Sequence, residues 1–389
     1  MSDKLFIRGT LILTLTGLVS RLMGFFYRIF LSHTIGAQGV GIYQLTLPVH
    51  AIVLAACCMG IQAAISRLCA SFTALGKEKE SRDALLLGTF LSMALCGLLS
   101  FLVYWNADFV ASVLLKEPRT AVLLRILAFS FPFSALHSCV NSFYYARKTT
   151  GIPAFILLLE QTSRIGSTYV IYLILISQKK EITPVIAAGG ALFSELTATA
   201  ACMLALGLDF SRENYKPVTG LFRRILRVFF CMSKGAHRDS PSAVKYISHI
   251  QPAFVKNNTA TSLNSLIKEI AQIAVPCSVN RLLLTLLSGI EMVLIPQRLL
   301  LSGINQTDSL SVYGIFTGMA LPLILFPATL TNSASVMLMP SVAGLQALGH
   351  EKNPSYDPPH LRKLLFLRRL LYILFLYFRK ITGKFSFTQ

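Results

Sequence analysis

The 389-residue chain is 54% hydrophobic and only 14% charged, with a formal net charge of +19. Apolar runs this long and this numerous exclude an ordinary soluble domain and predict an all-α, polytopic membrane protein. In such a chain basic residues sort into the connections between spans, so the positive charge does not predict a nucleic-acid partner.

Eight helical spans are expected, at about 8–31, 40–65, 84–104, 121–145, 153–177, 184–208, 271–298 and 312–339. Eighteen Lys and Arg fall at the N-terminus and in the loops after spans two, four and six, against five in the other loops. This asymmetry predicts a multi-pass protein of the cytoplasmic membrane with its N-terminus in the cytoplasm. The first run is too long and too interrupted by arginine for a cleaved signal peptide and reads as a retained span.

In that first span Thr10, Thr14, Gly17, Arg21, Gly24 and Arg28 recur at spacings of three and four, which keeps them on one narrow helical face. Arg21 lies about 20 Å of helix beyond Arg8, less than the roughly 30 Å of a bilayer core, so it falls inside the apolar layer. A guanidinium there calls for a wet cavity or an anionic partner, or else must snorkel to the nearer interface, the easier course for Arg28. The uncharged, glycine-rich stretch Ser32 to Gly41 is short enough to make spans one and two antiparallel neighbours. Span two carries Tyr43, Gln44 and Thr46 ahead of Pro48, a predicted kink; Gln44 and Thr46 either line a cavity or pack.

Gly76 to Asp83 is a charged, solvated turn, and spans three and four are mostly structural, with Arg125 placed to snorkel. In span five Glu160 and Arg164 stand at i and i+4, a spacing that brings carboxylate and guanidinium together on one face, as a structural pair or as part of a cavity wall. Glu195, midway along span six, has no basic residue one turn away and must find a partner on another helix, hold a proton or couple to an ion. From 209 to 269 the chain is polar and basic; within it, Leu221 to Met232 interleaves arginines with apolar residues and reads as an interfacial helix on anionic membrane lipids. Arg281 and Glu291 lie within span seven, and span eight, with Pro322, Pro327 and Asn332, should be bent and polar on one side. The eight cysteines show no CxxC pair and read as packing residues, not as disulfides or ligands; the seven histidines are scattered without metal-ligand spacing, and no metal or cofactor is expected.

Several of these segments resemble one known family. Gly17 to Arg28, Ile35 to Tyr43, Ala64 to Arg67, Glu160 to Arg164, Ile295 to Arg298 and Tyr313 to Pro322 are similar, in that order, to the stage V sporulation protein B family. That family belongs to the multidrug/oligosaccharidyl-lipid/polysaccharide (MOP) flippase superfamily. The resemblance runs over about residues 4–350. It implies a MATE-like fold of two six-helix lobes around a central cavity, and a flippase for an undecaprenyl-pyrophosphate-linked saccharide or peptidoglycan precursor, in cell wall or spore cortex synthesis. By the resemblance Arg21, in its Ser-Arg-x-x-Gly setting, lines the cavity. The cavity arginine found on helix eight of related lipid II flippases has no counterpart here, and Arg281 is the candidate to replace it.

The expected organisation is a first lobe at 1–208, a basic cytoplasmic linker at 209–269, two spans of a second lobe at 270–350 and a basic tail at 351–389. In the tail no uncharged run is long enough to span, so a truncated or frame-shifted second lobe is expected, or an interfacial anchor helix. Candidate cavity residues are Arg21, Arg28, Gln44, Glu160, Arg164, Glu195, Arg281, Glu291 and Asn332. Expected partners are a lipid-linked saccharide, anionic membrane lipids and a coupling ion, H+ or Na+. A cation-coupled multidrug exporter of the same superfamily and an inactive fragment are the alternatives. An enzyme is not expected, because no nucleophile–base cluster or nucleotide loop is legible.

Overall fold

The computed structural model describes residues 3–212 and 263–321, with 335, 336, 340 and 343 beyond them. The regular structure among these is helical: α1 (Asp3–Leu54), α2 (Gly60–Ala74), α3 (Glu78–Trp105), α4 (Thr120–Ala146), α5 (Gly151–Ser177), α6 (Val185–Arg212), α7 (Leu263–Leu301) and α8 (Gln306–Ile315). Asn332, the expected interfacial helix at 221–232 and the basic tail lie outside the described residues. By length and apolar content the stretch Gly9–Ala74, which the chain folds in two, and the helices α3, α4, α6 and α7 can cross a membrane. The helix α5 has the length, at 27 residues, but its polar side chains, Glu160 to Arg164 with Ser167 and Thr168, cluster at its middle.

The expected Ser32–Gly41 loop contracts to one residue. Helical hydrogen bonding runs on either side of Gly36, whose φ of 72° and ψ of 166° turn the chain. That region of conformational space is open essentially to glycine alone. The turn folds α1 into two arms, residues 3–35 and 37–54. Tyr27 and Tyr43 would stand about 24 Å apart on a straight helix, yet they pack in one buried cluster with Leu31 and Val40. Pro48 leaves the helix unbroken; the departure comes later, in a single π-helical turn at Ala55–Met59 that leads into α2. Such turns insert an extra residue and rotate the face that follows.

The helix α4 is the core of the bundle. Leu124, Phe131, Ala135, Cys139, Phe143 and Tyr144 are all fully buried on it, and α1, α2, α3 and α6 pack around it. Leu11, Leu15, Leu22 and Phe26 are exposed on the first arm of α1, as are Leu98 and Phe101 on α3. An apolar surface of this extent suits a lipid solvent. Cys57 in the π turn and Cys96 on α3 form a disulfide pair, Cα atoms 5.5 Å apart. This corrects the reading of all cysteines as packing residues: the two lie 39 positions apart, and only the packing of α3 on the turn brings them together. Cys58, Cys69, Cys139 and Cys202 are free and buried, as expected.

The connections alternate between two ends. At the end nearer the N-terminus, Arg147 pairs with Glu78 at 3.3 Å and Arg82 lies over the Phe210 ring at 5.2 Å, which gathers the ends of α3, α4 and α6. The opposite end, here called the far end, holds Gly36 and the α3–α4, α5–α6 and α7–α8 connections. There Arg125 reaches the exposed carboxylate of Asp108 at 2.6 Å.

Helices α7 and α8 dock on this bundle through its α1–α2 side. α7 lies along α2 and the π turn, and α8 lies along α1. The contact between α1 and α8 is backbone on backbone: a Cβ at Gly41 would strike the Leu310 carbonyl, and one at Gly314 would strike the carbonyl of Ala37. Small residues at such a crossing let dispersion and weak polar contacts replace a hydrophobic driving force that lipid does not supply.

Candidate functional site

The polar stripe of the first arm does not face the bundle core. Gly9, Leu13, Thr16, Ser20, Tyr27 and Leu31 are the buried positions among the described side chains of this arm. Thr14, Gly17, Gly24 and Arg28 lie beside that seam and are half-buried, while Arg21 is exposed. The stripe therefore edges the bundle, where it can meet both protein and a wet cleft. Arg28 lies within electrostatic reach of Arg21, Arg164 and Tyr43.

Arg164 is anchored from two sides. Its Nη2 meets the Glu160 carboxylate at 2.6 Å, the pair expected from the i, i+4 spacing, and its Nε donates to Ser194 Oγ on α6 at 3.2 Å. One turn further along α5, Thr168 donates to the Arg164 carbonyl at 2.8 Å and receives a hydrogen bond from the Tyr27 hydroxyl at 3.0 Å. This chain of bonds ties α1, α5 and α6 at the depth of the arginines. Arg28 thus lies in electrostatic reach of both Arg21 and Arg164, and Arg164 alone holds the carboxylate of Glu160. The excess of planar, bidentate donors suits a multiply charged anion such as a diphosphate.

Glu195 follows Ser194 directly but faces another helix, because successive residues on a helix differ by about 100° in direction. Its Oε2 lies 3.1 Å from His137 Nδ1 on α4, and both side chains are buried. His50, on the second arm of α1, stacks on Phe131 with ring centroids 5.2 Å apart and lies in electrostatic reach of both Glu195 and His137. Sequence reading missed these two histidines, since positions 50, 137 and 195 share no local spacing. Their one signal was that each is a titratable residue inside an apolar run.

A second polar cluster closes the far end. Glu117, 3% exposed, accepts from Arg119 Nε at 2.6 Å, Arg119 Nη2 at 3.1 Å and Gln306 Nε2 at 3.1 Å. Gln38 beside the Gly36 turn, with its amide oxygen oriented toward the guanidinium, accepts from Arg119 at 3.1 and 3.2 Å. Burial pushes the Glu117 carboxyl up, but the hydrogen bonds and charge of Arg119, with Gln306, outweigh it and hold the group below the usual carboxylate range. The same bond to Glu117 raises Arg119 above its ordinary value. Gln306 opens α8, so this clasp links the α1–α6 bundle to the helices that follow it.

The other sequence candidates stand apart from the arginines. Gln44 is buried against the turn just beyond α8, its amide nitrogen 3.6 Å from where a Cβ on Gly318 would lie. Arg281 and Glu291 are exposed on α7. Glu291 lines, with Arg298 and Leu287, an open groove of about 610 Å³ along one face of that helix. Among the described residues no group of three or more His, Cys, Asp or Glu is placed to hold a metal ion.

A bundle of membrane-length helices folded on buried ion pairs, with further helices docked on its α1 hairpin, has the architecture of a MATE-like multi-pass membrane protein. The crystal structure of a Vibrio cholerae MATE transporter, VcmN, superposes with a TM-score of 0.62, covering 96% of this chain and 70% of that one at 13% identity. An outward-facing multidrug resistance MATE family transporter of the MOP superfamily matches with a TM-score of 0.51, over 89% of this chain and 69% of that one, at 12% identity. These likenesses are of fold. The profile of the family described as polysaccharide biosynthesis protein matches residues 6–237, and the chain belongs to that family. It is 24% identical over 343 residues, 88% of its length, to Stage V sporulation protein B of Bacillus subtilis (strain 168), of which it spans 59%. It is also 27% identical over 173 residues, 42% of its length, to the Lipid II flippase MurJ of the same organism, spanning 32% of that protein.

Proposed function

We propose that this protein is a flippase, carrying an undecaprenyl-pyrophosphate-linked saccharide or peptidoglycan precursor across the cytoplasmic membrane. Its N-terminus lies in the cytoplasm, α1–α6 form one lobe and α7 and α8 begin a second, and the lipid tail stays in the bilayer while the headgroup passes between lobes. The observation that carries this reading is the convergence of Arg28 and Arg164, the latter held by Glu160 and Ser194, beside the half-buried stripe of α1 that also bears Arg21. The asymmetry of Lys and Arg among the loops supports the orientation. Similarity to a relative named as a lipid II flippase supports the substrate class.

The test uses full-length protein in nanodiscs containing undecaprenyl pyrophosphate. Arg28→Ala and Arg164→Gln should each weaken binding of the lipid by about tenfold or more, the loss of one charge-assisted contact. Arg125→Gln, outside the cluster, should leave it unchanged. Equal affinity in all three variants would overturn the assignment. Efflux of a cationic drug that survives both arginine substitutions would favour the multidrug exporter instead.

A further inference from the structure

The Glu195–His137 contact is unexplained by phosphate binding: it points into α4, away from Arg164, and spends two buried polar side chains where lipid-facing helices have none to spare. A purely structural pair would stand by itself. Here the buried pair, His137 Nδ1 and Glu195 Oε2 at 3.1 Å, lies within electrostatic reach of His50, whose Nε2 is buried without a hydrogen-bond partner. Three groups that exchange protons are therefore coupled inside the bundle.

We propose that His137, Glu195 and His50 form a proton-binding site inside the α1–α6 bundle, whose occupancy sets how the second arm of α1 sits against α8. The donor set selects the ligand. Two imidazoles and one carboxylate exchange protons readily, whereas a sodium ion wants a shell of oxygens. Adding a proton to the carboxylate–imidazole pair converts one negative and two neutral groups into an imidazolium–carboxylate pair and a neutral imidazole. A second proton places positive charge on His50 or neutralises Glu195, and then two imidazoliums, or an imidazolium with no counter-ion, act on one another inside the bundle.

The groups facing this pocket come from each neighbouring element that carries a titratable side chain toward it. Glu160 acts on both His137 and Glu195 from α5, Arg164 acts on His50 and Tyr43, and Cys58 faces His137 from the π turn. Ser134, one turn before His137, faces Glu195 from α4. Because Arg164 belongs to both neighbourhoods, charge at the arginine cluster and proton occupancy are electrostatically linked. Mechanical coupling follows from the chain: His50 lies nine residues beyond Gly41, on the same arm whose backbone meets α8. Repulsion between His50 and His137 acts to lift that arm from α4, and with it the α1–α8 contact.

This inference stands apart from the lipid proposed above, since its readouts need no substrate. Full-length protein in nanodiscs, labelled with 13C at histidine Cε1, is titrated by NMR from pH 5 to 9. The His137 signal is assigned by its loss in His137→Gln. It should titrate in the wild type, and its midpoint should move by about one pH unit, a tenfold change in proton affinity, in Glu195→Gln. In parallel, spin labels at Asn106 and Ser302, at the far ends of α3 and α7, report the separation of α7 from the bundle. That distance distribution should change with pH in the wild type, and the change should be lost in Glu195→Gln and reduced in His50→Gln, which also serves if the first variant fails to fold. A His137 midpoint indifferent to Glu195, or a wild-type distance profile retained in both variants, overturns the proposal.

Discussion

The Glu117 clasp can be tested by removing one charge. In Glu117→Gln the side chain keeps its shape, but one oxygen becomes an NH2 that faces donors from either Arg119 or Gln306. Arg119 is 52% exposed, so solvent screening limits the lost ion pair to about 0–1 kcal/mol. Leaving one donor without an acceptor at a buried site costs about 1 kcal/mol more. The total, about 1–2 kcal/mol, raises the population in which α8 has left the bundle by a factor of about 5–30. The assay is the distance between spin labels at Asn106 and Ser302, read at fixed pH in nanodiscs. Gln306→Ala should lengthen the distance in the same sense, whereas Arg125→Gln, which breaks only the exposed pair with Asp108, should not. Identical distributions for the wild type, Glu117→Gln and Gln306→Ala would refute the view that these contacts hold the two groups of helices together at the far end.

Other outcomes follow from the same geometry. Gly36→Ala places a side chain at a φ of 72° and ψ of 166°, costing about 1–3 kcal/mol, and should lower the thermal midpoint in detergent; an unchanged midpoint would mean the turn relaxes into another form. Gly41→Ala drives a methyl into the Leu310 carbonyl and should part α1 from α8 at a cost of about 1–3 kcal/mol, while Gly97→Ala, where a Cβ meets open space, should be silent in the same label assay. For Glu117 the folded-state carboxyl is held below its unfolded value, so its contribution is present at pH above the unfolded pKa of about 4.3 and is lost as pH falls through the lower folded one. The stability difference between wild type and Glu117→Gln should therefore be flat from pH 8 to 5 and shrink only in more acidic buffer. A difference that shrinks between pH 8 and 6 would contradict that sign.

The amino-acid sequence determined what depends on near neighbours along a helix. Apolar length predicted the membrane-spanning helices, and the i, i+4 spacing of Glu160 and Arg164 placed them in contact, because a helical turn fixes that geometry whatever surrounds it. The polar stripe through Arg21 and Arg28 was legible for the same reason, although not which side of the bundle it would edge. The bend between spans one and two was legible too, but its contraction to Gly36 was not, since several residues from Ser32 to Gly41 tolerate a turn and packing of Tyr27 on Tyr43 selects one of them.

Tertiary structure alone decided the contacts that cross helices. Glu195 had no partner within a turn, and His137, 58 positions earlier, was one of seven scattered histidines; only the rotation of α6 against α4 joins them. Cys57 and Cys96 looked like ordinary core residues until α3 crossed the π turn. Glu117 and Gln306 are 189 positions apart, one in a short connection and the other at the first turn of α8, where composition says only that they are solvated. The physical reason is common to all three. Composition and periodicity report the solvent a side chain faces, whereas a specific partner on another helix depends on rotation and axial register, which the summed packing of the whole bundle sets.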